Sequence, residues 1–423
     1  MSSSNKIAEP SETRLLSLDA YRGLIMIALA FNGFGLAKTA AARLEKLPDS
    51  AVWQSVKYQF SHVEWVGCAF WDMIQPSFMF MVGVSMAYSY VKREARGDTW
   101  SQMFLHAFMR SVILILLGVF LSSTGSDTRT TNWAFMNVLT QIGLGYSFLF
   151  LMWRRPVIVQ TLAVGLLLGA TWLAYTSFQT DGIDLQAGNE DVGITAEWAE
   201  KELSGVDPVW HKNANLGHAV DLKFLNWFPR EGDKPFNFNS GGYQTFNFIP
   251  SLATMLIGLI CGELLRSTWS SSRKLLILSA IGCVGILLGL VLQNAGYPMV
   301  KRIWTPTWAL FATGICCLVL AALYGVIDVA GWRSWSYFLV VVGMNSIAIY
   351  MMGQLLRGWT AGRLRVHIGQ PILDLLGPER VAKIHERYPS LIDYTPMLND
   401  VSVGLTFWLV CYWLARQRIF IRV

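Results

Sequence analysis

A histidine, an aspartate and an asparagine stand out in the first ninety residues, because each interrupts a stretch that otherwise reads as a membrane span. His62 stands near the start of FSHVEWVGCAFWDMIQPSFMFMVGVSMAY, which runs from Phe60 to Tyr88, and Asp72, Gln75 and Pro76 fall near its middle. Asn32 interrupts the preceding apolar run, which opens with Asp19 and Arg22. An imidazole with a pKa of about 6.5 can take a proton or attack as a nucleophile near neutral pH. A carboxamide can donate to a developing oxyanion. A carboxylate in hydrocarbon needs a partner, a proton or water, so such groups often mark a pathway or a site.

Helices must position these groups. Over 423 residues, 53% are hydrophobic and 15% charged, with 18 Trp and 23 Phe and a mean hydropathy of +0.39. Soluble domains of this length keep more surface charge. The apolar residues come in blocks of about 20, enough for a helix to cross about 30 Å of hydrocarbon. We therefore expect an all-α, polytopic membrane helix bundle of about ten transmembrane helices. They fall near 18–40, 65–90, 103–122, 132–153, 156–176, 246–265, 274–295, 305–328, 335–356 and 400–416. Residues 177–245 and 357–398 are expected as extracytoplasmic loops, which together suit an outer cap. The division is then a cytoplasmic tail at 1–17, a membrane domain at 18–416 and a cytoplasmic tail at 417–423.

Short joints rich in Lys and Arg, such as Lys92–Arg93, Arg154–Arg155 and Arg273–Lys274, fall on one side if both termini are cytoplasmic. Lys301 and Arg302 run against that rule, as does the basic loop 357–398. The expectation is a multi-pass protein of a bacterial inner membrane, with a retained first helix rather than a cleaved signal peptide, since Arg22 and Asn32 interrupt the apolar stretch. The net charge of +6 is mostly this topology signal, and no basic patch points to nucleic acid. The six cysteines all fall in expected spans without a CxxC pair, so neither a disulfide framework nor a metal site is indicated. A P-loop, an HExxH motif and a complete nucleophile elbow are missing, which leaves any chemistry to the membrane residues.

At about 1.5 Å per residue, Asn32 lies about 20 Å from the Asp19–Arg22 mouth and roughly level with His62. On a continuous helix Asp72 lies about 15 Å inward from His62 and out of its reach. Trp65, Asp72, Gln75 and Met79 then share one face. Gln141 and Asn345 reach the same middle third from later helices, so an internal cavity or channel lined by Asp19, Arg22, Trp65, Asp72, Gln141 and Asn345 is expected. Each has a plainer reading. Asp19 and Arg22 suit a helix-start pair, His62 a solvated helix start, and Asn32, Gln141 and Asn345 hydrogen-bond glue between helices. Pro76 suits a kink in the second span.

RLLSLDAYRGLIMIALAFNGFG and HVEWVGCAFWDMIQPSFMFMVGVS resemble two blocks of the heparan-α-glucosaminide N-acetyltransferase family, and MNVLTQIGLGY, FIPSLATMLIGLICGELL, IWTPTWALF and VGMNSIAIY resemble its later helices in order. The resemblance implies an acetyl group taken from acetyl-CoA and delivered across the lipid bilayer to an amino sugar or other glycan. It places the family's catalytic histidine on His62 and its assisting asparagine on Asn32. Two features depart from the family: Asn32 and His62 stand further apart here, and the arginine of the helix-four block is replaced at Gln141–Ile142. Both bear on the acceptor more than on the reaction. Two other functions stay open, a proton-coupled transporter and an O-acyltransferase of cell-envelope glycans. Assembly as a homo-oligomer is also left open.

Overall fold

The computed structural model describes residues 15–421 except 126–129, 181–184, 186–187, 231, 233 and 377. Most of the expected tail at 1–17 lies outside the described residues. Helices form throughout, and no β-strand occurs among the described residues beyond one isolated bridge between Asn189 and Ile194.

The first span is two helices, α1 (Leu16–Ala30) and α2 (Leu36–Lys46), bent by 44°. The break lies at Asn32, Gly33, Phe34 and Gly35, all with positive φ. Asparagine and glycine tolerate that conformation, and Phe34 must be held there by its packing. A short α3 (Ala51–Phe60) follows. The segment 61–69 is irregular, and a 3-10 turn at Phe70–Met73 leads into α4 (Ile74–Glu94). The expected span 65–90 therefore starts some nine residues late. Pro76 sits in the first turn of α4, where its missing N–H costs no helical hydrogen bond, so the expected kink is absent.

Next come α5 (Trp100–Ser123), α6 (Val138–Met152) and α7 (Val157–Thr176), then a cap holding α8 (Ala196–Glu202) and α9 (Leu216–Phe224). The chain re-enters with α10 (Phe248–Arg266), α11 (Ser271–Asn294) and α12 (Pro306–Leu323), the last running into a π-helical turn at Tyr324–Val329. The ninth expected span is also broken, into α13 (Tyr337–Gly343) and α14 (Ser346–Leu355), bent by 66°. Three short helices, α15 (Arg357–Leu364), α16 (Gln370–Leu376) and α17 (Pro378–Arg387), precede the final α18 (Thr395–Arg416).

Among the described residues, six helices are long and apolar enough to cross a bilayer, or eight when each bent pair counts as one span. The difference from the ten expected lies in α4, whose apolar run is diluted by Gln75, Pro76, Ser77, Ser85 and Ser89, and in α6, which has only 15 residues. The protein is an integral, multi-pass membrane protein. Small residues set its core. A Cβ on Gly83 of α4 would collide with the Met255 carbonyl of α10, and one on Gly343 of α13 with the Asp19 carbonyl of α1. Such close backbone approach is how membrane helices gain contact without a hydrophobic drive. Asp328 closes the start of α1 by accepting from the N–H groups of Leu16 and Ser17, both at 3.1 Å.

Candidate active site

Three ionisable side chains converge at the cap end of the bundle. His62 Nδ1 lies 2.7 Å from Asp72 Oδ1, and the Lys301 ammonium lies 3.2 Å from both atoms. Asp72 Oδ2 accepts from the backbone N–H groups of Val63 (3.2 Å) and Ala69 (3.3 Å). The Asp72 side chain is 2% exposed and that of Lys301 is 7% exposed, whereas the His62 ring is 42% exposed. A buried carboxylate is thus held by a cation and two backbone donors, with an open imidazole resting on it.

The irregular 61–69 segment makes this contact. Gly67 takes φ +130° and donates to the Met299 carbonyl at 2.9 Å, so the chain turns instead of continuing a helix. Phe70 N–H is held by Gln59 at 2.9 Å. Ten residues that would span about 15 Å as a helix fold back on themselves, and Asp72 touches the histidine it was expected to miss. Trp65 no longer shares a face with Asp72. It is buried, donating from its indole to the Trp210 carbonyl of the cap at 3.1 Å.

Lys301 arrives from the turn between α11 and α12. Thr305 shapes that turn, accepting from Val300 N–H at 3.0 Å and capping α12 through Trp308 N–H at 3.3 Å. Arg302, the next residue, donates to the carbonyls of Gly241 (2.7 Å) and Val63 (3.2 Å), which ties the cap to the His62 loop. Neither residue was singled out as a site residue. Their signal was visible nonetheless: a basic pair that runs against the charge rule, explained for Lys301 by buried Asp72 and for Arg302 by the carbonyls of Gly241 and Val63.

The chemistry follows from the hydrogen bonds. The shortest contact at Nδ1 is a carboxylate oxygen, so Nδ1–H donates to Asp72, and Lys301 donates to the same oxygen. Nε2 then carries the lone pair, with no hydrogen-bond partner among the described residues. A carboxylate that fixes the tautomer and orientation of an imidazole leaves the other nitrogen ready to accept a proton or attack a carbonyl.

Asn32 belongs to a neighbouring cluster. Its side-chain amide donates to Asp400 Oδ2 at 3.0 Å, while Arg357 donates to Asp400 Oδ1 at 3.1 Å and to the carbonyls of Leu29 and Ala30 at the frayed end of α1. Asn32, Tyr350 and Arg357 line a polar cavity of about 300 Å³. Trp71 lies between the two clusters, 6.3 Å from the His62 ring and against Gly33, and no hydrogen bond joins Asn32 to His62. The longer spacing between them is taken up by α2 and α3.

The remaining candidates make structural contacts. Asp19 and Arg22 pair at 3.3 Å, and Arg22 also reaches Ser85 of α4. Gln141 donates to the carbonyls of Phe135 (2.7 Å) and Thr245 (3.1 Å). Asn345, at the α13–α14 break, donates to the Ile419 carbonyl and accepts from Ile421 N–H. The contacts of Gln141 and Asn345 are those of hydrogen-bond glue between segments. No group of His, Cys, Asp and Glu suited to a metal ion occurs among the described residues.

An all-helical membrane protein with a carboxylate-backed imidazole under a cap is the class that fold and geometry define. Within it, the chain is a distant homologue of heparan-alpha-glucosaminide N-acetyltransferase. The Homo sapiens protein is 22% identical over 382 residues, covering 80% of this chain and 52% of that protein. The Mus musculus protein is 22% identical over 393 residues, covering 82% and 54%. The chain spans about half the length of the curated relatives it matches. No family model matches it.

Proposed function

We propose that the protein is a membrane acyltransferase that passes an acetyl group from acetyl-CoA, supplied at the cytoplasmic face, to an amino sugar or glycan at the cap face. The observation that carries this is the open His62 ring on the buried Asp72–Lys301 pair. The distant homology to a membrane N-acetyltransferase supports the reaction class. In this reading Nε2 takes the proton of the acceptor amine as its nitrogen attacks the thioester carbonyl, or Nε2 itself holds the acyl group between two steps. The thiolate leaves and the proton returns to it. Asp72 stabilises the imidazolium formed on the way, and Lys301 keeps that carboxylate compensated once the proton has moved on.

The two broken helices favour a second reading as a transporter, since discontinuous helices often line substrate pathways. An exposed imidazole serves acyl transfer better than an enclosed ion path. Protein reconstituted in vesicles, given labelled acetyl-CoA on one face and glucosamine on the other, separates them. Labelled product from the wild type and none from a folded His62→Ala variant is expected. Acetyl transfer unchanged in that variant, or substrate-driven ion flux without transfer, would overturn the proposal.

A further inference from the structure

A groove opens on the flank of the bundle, at its cap end. It encloses about 330 Å³ between α7 and α11, with Leu310 of α12 between them and Trp210 of the cap above. Leu168 and Trp172 line one side, Leu292 and Tyr297 the other. No charged side chain lines it among the described residues. The Thr305 hydroxyl reaches it but already accepts from the N–H groups of Val300 (3.0 Å) and Trp308 (3.3 Å).

Both sides of the groove belong to helices that are long and apolar enough to cross a membrane. Leu166 and Leu173 on α7, and Leu287 and Val291 on α11, are exposed. Such side chains on a span meet lipid tails, so the groove opens sideways onto hydrocarbon. Trp172 and Tyr297 meet edge-to-face from the two sides, ring centres 6.0 Å apart. Amphipathic rings gather where spans reach the headgroups.

Three residues of the groove also belong to the frame around His62. Pro298 precedes Met299, whose carbonyl accepts from Gly67 of the His62 loop at 2.9 Å. Thr305 closes the turn that carries Lys301. The Trp210 carbonyl holds the indole of Trp65, three residues beyond His62, at 3.1 Å.

We propose that this groove receives the hydrocarbon chain of a lipid-linked acceptor, an amino sugar carried on a long alkyl or isoprenoid chain. Its sugar then lies at the cap rim, beside the turn that presents Lys301 to Asp72 and His62. The assignment rests on the acyltransferase reading and names the acceptor class. A lipid tail gains little apolar contact on leaving the bilayer for the groove. The gain is positional: a seated chain holds its headgroup near the imidazole at high effective concentration.

Binding is read first, without turnover. A dodecyl glucosaminide with a diazirine at its chain end is photolysed with the full chain in detergent, and the labelled peptides are mapped. Label is expected within 166–173 or 287–310, competed by excess dodecyl glucosaminide and not by the same excess of phosphatidylglycerol. Gly169 lines the groove, and a Cβ there meets no neighbour within 4 Å, so Gly169→Phe adds bulk where there is room. It should cut labelling about tenfold. Gly165, one turn away, has equally open surroundings but does not line the groove, so Gly165→Phe should leave labelling unchanged. Acetyl transfer is read second. Dodecyl glucosaminide should be preferred to glucosamine by at least about tenfold in kcat/KM, and Gly169→Phe should remove most of that preference. Label that maps elsewhere, labelling undiminished in folded Gly169→Phe, or equal competition by phosphatidylglycerol overturns the proposal. Labelling as expected without acetyl transfer to any acceptor would sink the acyltransferase reading instead, leaving a groove that binds the same amphiphile.

Discussion

Asp72 and Asp400 are both nearly buried carboxylates, and each is held by a cation from a distant part of the chain. Asp72 spends one oxygen on two backbone N–H groups and the other on Lys301 and His62, whose ring opens to the surroundings. Asp400 spends its oxygens on Asn32 and Arg357, and Arg357 turns its remaining donors onto the carbonyls at the end of α1. Similar ingredients therefore do different work. In the acyltransferase we propose, the first clamp keeps a titratable group reactive, whereas the second closes a break in a membrane helix, where unpaired carbonyls would be expensive. A buried ion pair alone does not mark a catalytic site; the proposal rests on the open imidazole that only the first pair carries.

The sharpest way to break this contrast is to exchange the two losses. His62→Ala should lower acetyl transfer by about 10³-fold or more while leaving thermal unfolding nearly unchanged, since the ring is exposed. Arg357→Ala should do the reverse. It leaves Asp400 with the Asn32 amide alone and removes the Arg357 donors from two carbonyls, a cost of about 2–4 kcal/mol once partial exposure is allowed for, read as a lowered Tm in detergent. If transfer collapsed in Arg357→Ala at full stability, the second clamp would be part of the chemistry.

A smaller effect sharpens the first clamp. Asp72→Asn keeps the shape but removes the charge that sets the His62 tautomer, and a loss of about 10²-fold in kcat with little change in KM is expected. The smallest effect concerns the cap. Burial raises the Asp221 carboxyl to about 6, against one hydrogen bond from Thr245 N–H that acts the other way. The folded chain then binds this proton more tightly than the unfolded chain. Stability should fall as pH rises from about 4 to about 6 and be level above, by about 2–3 kcal/mol at most. Asp221→Asn should flatten that part of the Tm–pH curve. An unchanged slope would mean that Asp221 is not protonated in the folded cap.

Apolar blocks made the helical bundle legible, because the bilayer constrains composition directly. His62, Asp72 and Asn32 were legible as costly polar residues. Their contacts were not. A continuous helix over 65–90 separated His62 from Asp72, although Gly67, Asp72 and Pro76 together read as the approach to a helix start. Lys301 showed only as an exception to a statistical rule, and its partner lies 229 residues away. Asn32 meets Asp400 across 368 residues, a pairing that no local pattern in one sequence can reveal.

The most direct measurement is a double-mutant comparison of acetyl transfer in wild type, His62→Ala, Asp72→Asn and the double variant. If Asp72 acts only through the imidazole, the double variant should be no slower than His62→Ala alone, because residues that work as one unit are lost together. Losses that multiply independently, or a His62→Ala rate within about twofold of wild type, would contradict the account.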